Sequence, residues 1–373
     1  MRLFLLTIFI SLQAFSQSNN PNSYSSLVEA FKNPQTVTRL ELIDQNLFIL
    51  DTNIEQLSNL DEIILDENPN LDLDQAMTVL SKLKNLKKLS LSKCKLKFLP
   101  LGLAELNNLE DIDLDENDFE DIPRSIRKLK NLKYLNLFDN KIKNITLKNG
   151  DLTSLTHINL GYNLFEIFPT ELGIIPNLIL IRIWYNNISL IPKDISNFSK
   201  LQELNLEANN IGVIPEAFSK LYSLKILSLQ KNNLTKNSLS IISKLNKLES
   251  LDIGTNELFE IPNELNNLKK LKCLDLSFNK ITSLPTNFSK FSKLEQIGLG
   301  ALVDFKWESA FYILSQIKSL RRVGMFEMHL TTMPKGFETL SQVKTFWLTF
   351  NSFNKQERDN IVKMVPNSQV VFD

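Results

Sequence analysis

From Val37 onward the apolar positions follow one order, L-x-x-L-x-L, with asparagine three residues after the last leucine and a further apolar residue two beyond it. The pattern begins at Val37, Leu60, Leu86, Leu109, Leu132, Leu155, Leu178, Leu201, Leu224, Leu248, Leu271, Leu294, Leu320 and Val343, and most steps between these starts are 23 residues long. Within one unit, Leu201 to Ile211, Leu204 and Leu206 alternate with Glu203, Asn205 and Glu207. That is the two-residue period of a short strand with one buried face. A fixed period of this size predicts a solenoid, in which each unit buries its apolar edge against its neighbours.

The asparagine ends the strand where the chain turns inward. A buried amide needs partners, so it is expected to bond the backbone of the adjacent turn. Asn68, Asn117, Asn140, Asn163, Asn186, Asn209, Asn232, Asn256, Asn279 and Asn351 occupy this position, with Cys94 and Gln45 as substitutes and Leu302 and Met328 as breaks in the ladder. In the second half of most repeats an apolar residue precedes proline: Leu99-Pro100, Ile122-Pro123, Phe168-Pro169, Ile191-Pro192, Ile214-Pro215, Ile261-Pro262, Leu284-Pro285 and Met333-Pro334. Proline fixes φ and disfavours helix in the residue before it, which predicts an extended or single-turn segment. The longer repeats from Leu60 and Leu294 carry inserts, Asp74 to Lys82 and Trp307 to Gln316, with apolar residues at helical spacing. Short α-helices are expected there.

These motifs, from Val37 to Phe353, resemble the 23-residue leucine-rich repeats shared by Ras-suppressor-type proteins, plant intracellular repeat proteins and many bacterial proteins. The resemblance implies an α/β leucine-rich repeat solenoid: a curved horseshoe with a parallel sheet on its concave face and short 3-10 or extended convex segments. Both flanks are similar to those of secreted bacterial members. Ser26-Leu-Val-Glu29 has capping-box spacing for an N-terminal cap helix, while Lys355 to Met364 reads as an amphipathic helix and Gln369 to Phe372 as a last strand. The expected organisation is a signal peptide at 1–16, a linker and cap helix at 17–36, fourteen repeats at 37–353 and a C-terminal cap at 354–373. Nothing falls outside the solenoid to supply a kinase, ligase or protease module.

The leader has its own signature. Arg2 precedes the apolar run Leu3 to Leu12, and Ala14-Phe15-Ser16 offers the small-x-small pattern of a signal peptidase site, so cleavage before Gln17 is expected. The run is too short to span a bilayer, and Gln17 to Ser25 reads as a polar linker. With no cysteine after the site to carry lipid and no apolar tail, this reading makes the mature protein secreted or periplasmic.

Charge and cysteine usage narrow the function. The chain has 42 basic and 42 acidic residues, so no uniform basic field exists for nucleic acid or anionic lipid, and neither binding to nucleic acid nor membrane insertion is expected. Cys94 and Cys273 lie eight repeats apart, about 38 Å at one strand spacing per repeat, beyond disulfide reach. His157 and His329 are dispersed from both, leaving no Cys/His metal or catalytic cluster and implying no cofactor.

The exposed strand positions therefore carry the functional expectation. At the second position of the repeats the stack reads Asp61, Lys87, Glu110, Lys133, then Thr156, Ile179 and Gln202, then Lys225, Glu249, Lys272, Glu295 and Arg321. Alternating charges on neighbouring strands support pairing, and they stop where aromatic residues appear. Tyr134, Phe138, His157, Tyr162, Ile179, Leu180, Arg182, Trp184 and Tyr185, beside Asn136 and Asn159, gather on a few strands. Trp, Tyr and Arg are the residues enriched at binding hot spots, so this is the expected partner site. Its position 7 and 8 side chains should point away from the core, so that substituting them leaves folding almost unchanged.

A second candidate site lies toward the C-terminus, where Gly298, Gly300 and Gly324 leave a bare floor between Phe278, Phe326, Trp347 and Phe350 on which a sugar or small ring would rest. A third feature is the repeat from Leu109, in which Glu110, Asp111, Asp113, Asp115 and Glu116 are all acidic. Calcium or a basic peptide is the candidate ligand there, although Lys87, Lys88 and Lys93 lie beside it. The same carboxylates do not make a glycosidase pair, because an open sheet offers no cleft to raise a pKa.

The sequence thus describes a non-catalytic binding or scaffold protein that recognises a macromolecular partner, foremost a protein, on its concave face. The alternative is a glycan-binding or adhesive surface component using the glycine-floored site.

Overall fold

The computed structural model describes residues 21–373, which fall into two compact units, 21–187 and 188–373. The leader expected at 1–16 and its cleavage point before Gln17 lie outside the described residues.

In the first unit, strands β1 (Ser23–Tyr24), β2 (Arg39–Glu41), β3 (Glu62–Ile64), β4 (Lys88–Ser90), β5 (Asp111–Asp113), β6 (Tyr134–Asn136), β7 (His157–Asn159) and β8 (Leu180–Arg182) pair parallel in sequence order. The register places Leu40, Ile63, Leu89, Ile112, Leu135, Ile158 and Ile181 in one row, buried in the core. The second unit repeats the plan with β9 (Glu203–Asn205), β10 (Ile226–Ser228), β11 (Ser250–Asp252), β12 (Cys273–Asp275), β13 (Gln296–Gly298), β14 (Arg322–Gly324), β15 (Thr345–Trp347) and β16 (Gln369–Val371). Each strand is short because the residue at repeat position 8 turns left-handed: Glu67, Glu116, Tyr162 and Tyr185 in one unit, and Lys231, Phe278 and Phe350 in the other, have φ between 49° and 59°. For residues with a Cβ that conformation is unfavourable on its own.

The neighbouring asparagine holds it in place. Asn68 donates to the carbonyls of Leu42, Leu65 and Asp66 at 2.7–3.0 Å and accepts from the amides of Gln45 and Leu47, joining its own turn to that of the preceding repeat. Asn117 makes the equivalent five bonds. Cys94 substitutes through its thiol, which donates to the carbonyls of Leu65 and Ser92, and burial pushes that thiol up to about 11, so it keeps its proton. Met328 does not leave the ladder wholly broken as its sequence implies: its sulfur accepts the Leu302 amide at 3.2 Å.

Proline dictates the other side of the repeat. Single-turn 3-10 helices begin immediately after it at Leu101–Glu105, Thr170–Ile174, Lys193–Asn197, Glu216–Lys220, Asn263–Asn267 and Thr286–Lys290, each burying an apolar side chain such as Leu103 or Phe218. The two long repeats form α-helices, Leu73–Leu80 and Trp307–Ser315, where their inserts predict them. A further helix, Lys236–Ile242, was not apparent from apolar spacing. Its repeat has no proline to stop it, and buried Ser238 ties it to the previous repeat by donating to the Gly212 carbonyl and accepting from the Ile214 amide.

The termini differ in detail from expectation. Residues Leu27–Ala30 are helical, but Ser26 makes no side-chain capping bond and Glu29 pairs with Lys32 at 2.7 Å instead of closing a capping box. Ser23–Tyr24, expected to be part of a linker, is a strand on β2. At the other end the helix Lys355–Met364 buries Ile361, and β16 pairs with β15, so the last repeat's apolar edge is covered.

Candidate functional site

The aromatic residues singled out in sequence come together on the outer face of strands β6 to β8. Tyr134 and His157 are opposite one another in the register, and their rings stack with centroids 4.5 Å apart. Leu180 continues that row and is buried. Ile179 is half-buried beside it. Thr156 Oγ1 lies 2.7 Å from His157 Nδ1. Burial, and next the Arg182 charge, hold the imidazole below its ordinary pKa, so it is neutral at pH 7.

Beyond the strands a second group forms around a glycine. Phe138, Gly161 and Trp184 occupy the same position in successive repeats, and the indole lies directly over Gly161: a Cβ there would come within 2.6 Å of Trp184 Nε1. The missing side chain lets Trp184 reach across the intervening repeat to Phe138, with centroids 5.4 Å apart. The left-handed turn at the next position brings Tyr162 and Tyr185 to the same side, where they stack at 4.6 Å with their planes 11° apart. Tyr162 also meets Trp184 and Phe138 edge-on at 5.1 Å each. Such geometries contribute beyond area burial alone. The cluster remains partly open to solvent, with Tyr162 41% and Tyr134 36% exposed. Asn136 bonds Asp113 at 2.8 Å and, like Asn159, accepts an amide of its own chain two residues on. What this surface offers is a preassembled apolar patch rimmed by phenol hydroxyls, amides and one guanidinium.

The glycine-floored site has a different construction from the one expected. Gly298 is covered by the Asp275 carboxyl, whose atoms would stand 2.7–2.8 Å from a Cβ there, and Gly300 by the Phe326 ring, at 2.4 Å. The floor is therefore filled by the chain's own side chains. Phe278 and Phe326 are 5.9 Å apart, Phe350 is exposed, and Gly324 stands between Gly298 and Trp347 in the register.

In the acidic repeat, Lys93 sits 3.8 Å from Glu67 and 3.6 Å from Glu116, and Lys133 pairs with Glu110 at 2.6 Å, so two of the repeat's exposed carboxylates, Glu110 and Glu116, stand against lysines. Burial raises Asp111 to about 6 and, with repulsion from Asp115 and Asp66, raises Asp113 to about 7. Among the described residues no group of three His, Cys, Asp or Glu side chains is arranged to hold a metal ion. Asp252 and Asp275, which neither the aromatic nor the acidic pattern of the sequence singles out, are aligned in neighbouring strands of the second unit and both buried. Their signal was present as Asp at the central exposed strand position in two successive repeats, without a basic neighbour in that row.

Family models described as leucine rich repeat match residues 84–142, 199–258 and 270–291. The chain is a leucine-rich repeat protein. Its fold is similar to that of a leucine-rich repeat protein of Leptospira interrogans, at 27% identity over 94% of this chain and 99% of that one, with a TM-score of 0.70. An internalin of Listeria monocytogenes aligns at 19% identity over 92% and 88% of the two chains, TM-score 0.62. Toll of Drosophila, solved in complex with Spatzle, aligns at 21% identity over 85% of this chain but 45% of its own, TM-score 0.63. No curated protein matches the chain. No helix among the described residues is long and apolar enough to cross a membrane.

Proposed function

We propose that this leucine-rich repeat protein is a binding or scaffold protein that docks a protein partner on the outer strand face between Tyr134 and Tyr185, and that it does so outside the cytoplasmic membrane after removal of residues 1–16. The observation that carries the docking reading is the mutual packing of Phe138, Tyr162, Trp184 and Tyr185 around Gly161 on a solvent-facing surface. Rigid, prepacked aromatic side chains lose little entropy on binding and dominate interface energetics. Toll was solved with Spatzle bound, an instance of this fold receiving a protein. Export is supported by Arg2, the run Leu3 to Leu12 and Ala14-Phe15-Ser16.

The test is capture of partners from the native envelope fraction on immobilised protein, wild type against Trp184→Ala. A protein retained by the wild type and lost with the variant supports the reading. Retention of cell-wall polysaccharide instead, insensitive to Trp184, moves the function to a glycan-binding surface component. Mass spectrometry of the native chain should find it beginning at Gln17 or within a few residues, and an intact Met1 contradicts export.

A further inference from the structure

Two neighbouring rows of the outer face start their aromatic run in the same way. At repeat position 7 Asp115 comes one repeat before Phe138, and at position 8 Asp139 comes one repeat before Tyr162. Asp139 and Tyr162 take the same left-handed turn, with φ of 50° and 52°, and the Asp139 amide donates to the Gly161 carbonyl at 2.9 Å. The aromatic patch is therefore bordered on its β5 side by two carboxyls, each about one strand spacing, roughly 4.8 Å of backbone, from a ring position.

The ring stacking turns a face toward that border. Tyr162 stacks on Tyr185 of the following repeat, with centroids 4.6 Å and planes 11° apart. A centroid separation close to the strand spacing, with nearly parallel planes, sets the rings across the direction in which repeats stack. Tyr185 thus covers one face of Tyr162, and the other is turned to the preceding repeat, which carries Asp139. Phe138 meets this ring at 61° and does not lie flat on it. Both Tyr162 and Asp139 are exposed, so a side chain from solvent reaches the place between them.

The bases nearby are already engaged. Lys93 lies 3.8 Å from Glu67 and 3.6 Å from Glu116, while Lys141 pairs with Asp118 at 2.6 Å and Lys133 with Glu110 at 2.6 Å. Among the described residues the Asp139 carboxylate has no hydrogen-bond or ion-pair partner. Burial first, with repulsion from Asp139 as a further cause, holds Asp115 above its ordinary range despite the Ser92 hydroxyl and the Lys93 charge. A cation brought between them relieves that repulsion. Arg182, the cation of the patch itself, lies on the β8 side.

A planar guanidinium can stack on an aromatic face while its edge bonds a carboxylate. We propose that the protein docked on the aromatic patch presents an arginine beside an apolar side chain, the guanidinium seated between Asp139, Asp115 and the rings of Tyr162 and Phe138, the apolar group on Trp184. This rests on the docking reading above and adds to it the partner's chemistry and its direction across the strands.

The probes are capped tetrapeptides in which tryptophan alternates with arginine, lysine, citrulline or glutamate, titrated by calorimetry at low salt into the purified full chain. Citrulline keeps the shape of arginine and loses its charge. Saturable binding of the arginine peptide is expected, with the lysine peptide weaker and the citrulline and glutamate peptides weaker by roughly tenfold or more. Asp139→Lys should weaken the arginine peptide by roughly tenfold, and Asp139→Asn or Asp115→Asn by roughly threefold, while the citrulline peptide stays within about twofold. Trp184→Ala should weaken them all. Lysine fits the turn at 139, since Lys93 and Lys231 hold the same repeat position with φ of 56° and 55°, so melting should not change. The proposal is overturned if the arginine peptide does not bind, if citrulline replaces arginine without loss, or if Asp139→Lys binds the arginine peptide like the wild type. A captured protein that is lost with Trp184→Ala but indifferent to Asp139→Lys keeps the docking surface and removes the arginine from it.

Discussion

Trp184 rests against Gly161 with no space for even a methyl group between them. The glycine is what joins Phe138 to Trp184 over the repeat that separates them, so the aromatic patch depends on a residue that contributes no side chain to it. Gly161→Ala should displace the indole, weaken partner binding as much as Trp184→Ala does, and shift the tryptophan fluorescence. For Trp184→Ala itself the expected loss is about 2 kcal/mol or more of binding, the scale of a central aromatic anchor. Titration calorimetry with melting curves checks both. The packing also corrects the expectation that such changes leave folding untouched: Trp184 meets Phe138, Tyr162 and Tyr185, and losing these contacts should cost about 1–3 kcal/mol of stability. Binding that survives both substitutions would remove the patch from the interface.

Asn117 is expected to be among the most sensitive single positions. Its amide bonds three carbonyls and two amides spread over two repeats, all in or near the core. Asn117→Ala strands those groups and should cost on the order of 1–3 kcal/mol in chemical denaturation. An unchanged midpoint would mean that water replaces the amide.

Met328 marks the opposite case, a position where stability can be added. A thioether is a weak acceptor, and here it is what meets the Leu302 amide. Met328→Asn should supply a stronger acceptor together with donors for the turn carbonyls, raising stability by roughly 1 kcal/mol, or about 2–4 °C in a unit of this size. Calorimetric scans of the two proteins decide it, and a lower transition temperature would show that burying the amide outweighs its bonds.

Most of the fold was legible because one repeat dictates the next. The leucine spacing located strands β2 to β15, proline located six of the 3-10 turns, and the two long inserts located their helices. The helix Lys236–Ile242 was hidden because a serine, Ser238, takes the buried position and satisfies itself by hydrogen bonds, which apolar periodicity does not register. The aromatic residues of the candidate site were visible from their spacing in the stack. Their arrangement was not, since it depends on the absence of a side chain at Gly161. For the same reason Gly298 and Gly300 looked like open floor: spacing shows that a residue is small, but not which neighbour lies over it. Asp252 and Asp275 were obscure because one charge per repeat is ordinary until the register aligns them and burial removes their solvent.

The acidic repeat carries a prediction about pH. Asp113 is held at about 7, chiefly by burial and next by repulsion from Asp115 and Asp66, against an ordinary value of 3.8. Between those two values the folded state keeps a proton that the unfolded chain has released. Stability therefore falls as pH rises through this window, and the loss is complete once the folded carboxyl ionises above about pH 7. Asp111, raised to about 6 mainly by burial, contributes in the same direction, so the isolating measurement is a difference between variants. Asparagine at 113 retains the oxygen that accepts from the Asp115 amide and from Asn136, and it carries no charge. Asp113→Asn should thus melt above the wild type at pH 8 by about 3 °C or more, with the gap closing toward pH 4. A gap that widens on acidification would mean that Asp113 is ionised in the folded protein and stabilised by a cation, which would return calcium to consideration at this repeat, while a constant gap would mean that folding does not shift its pKa at all.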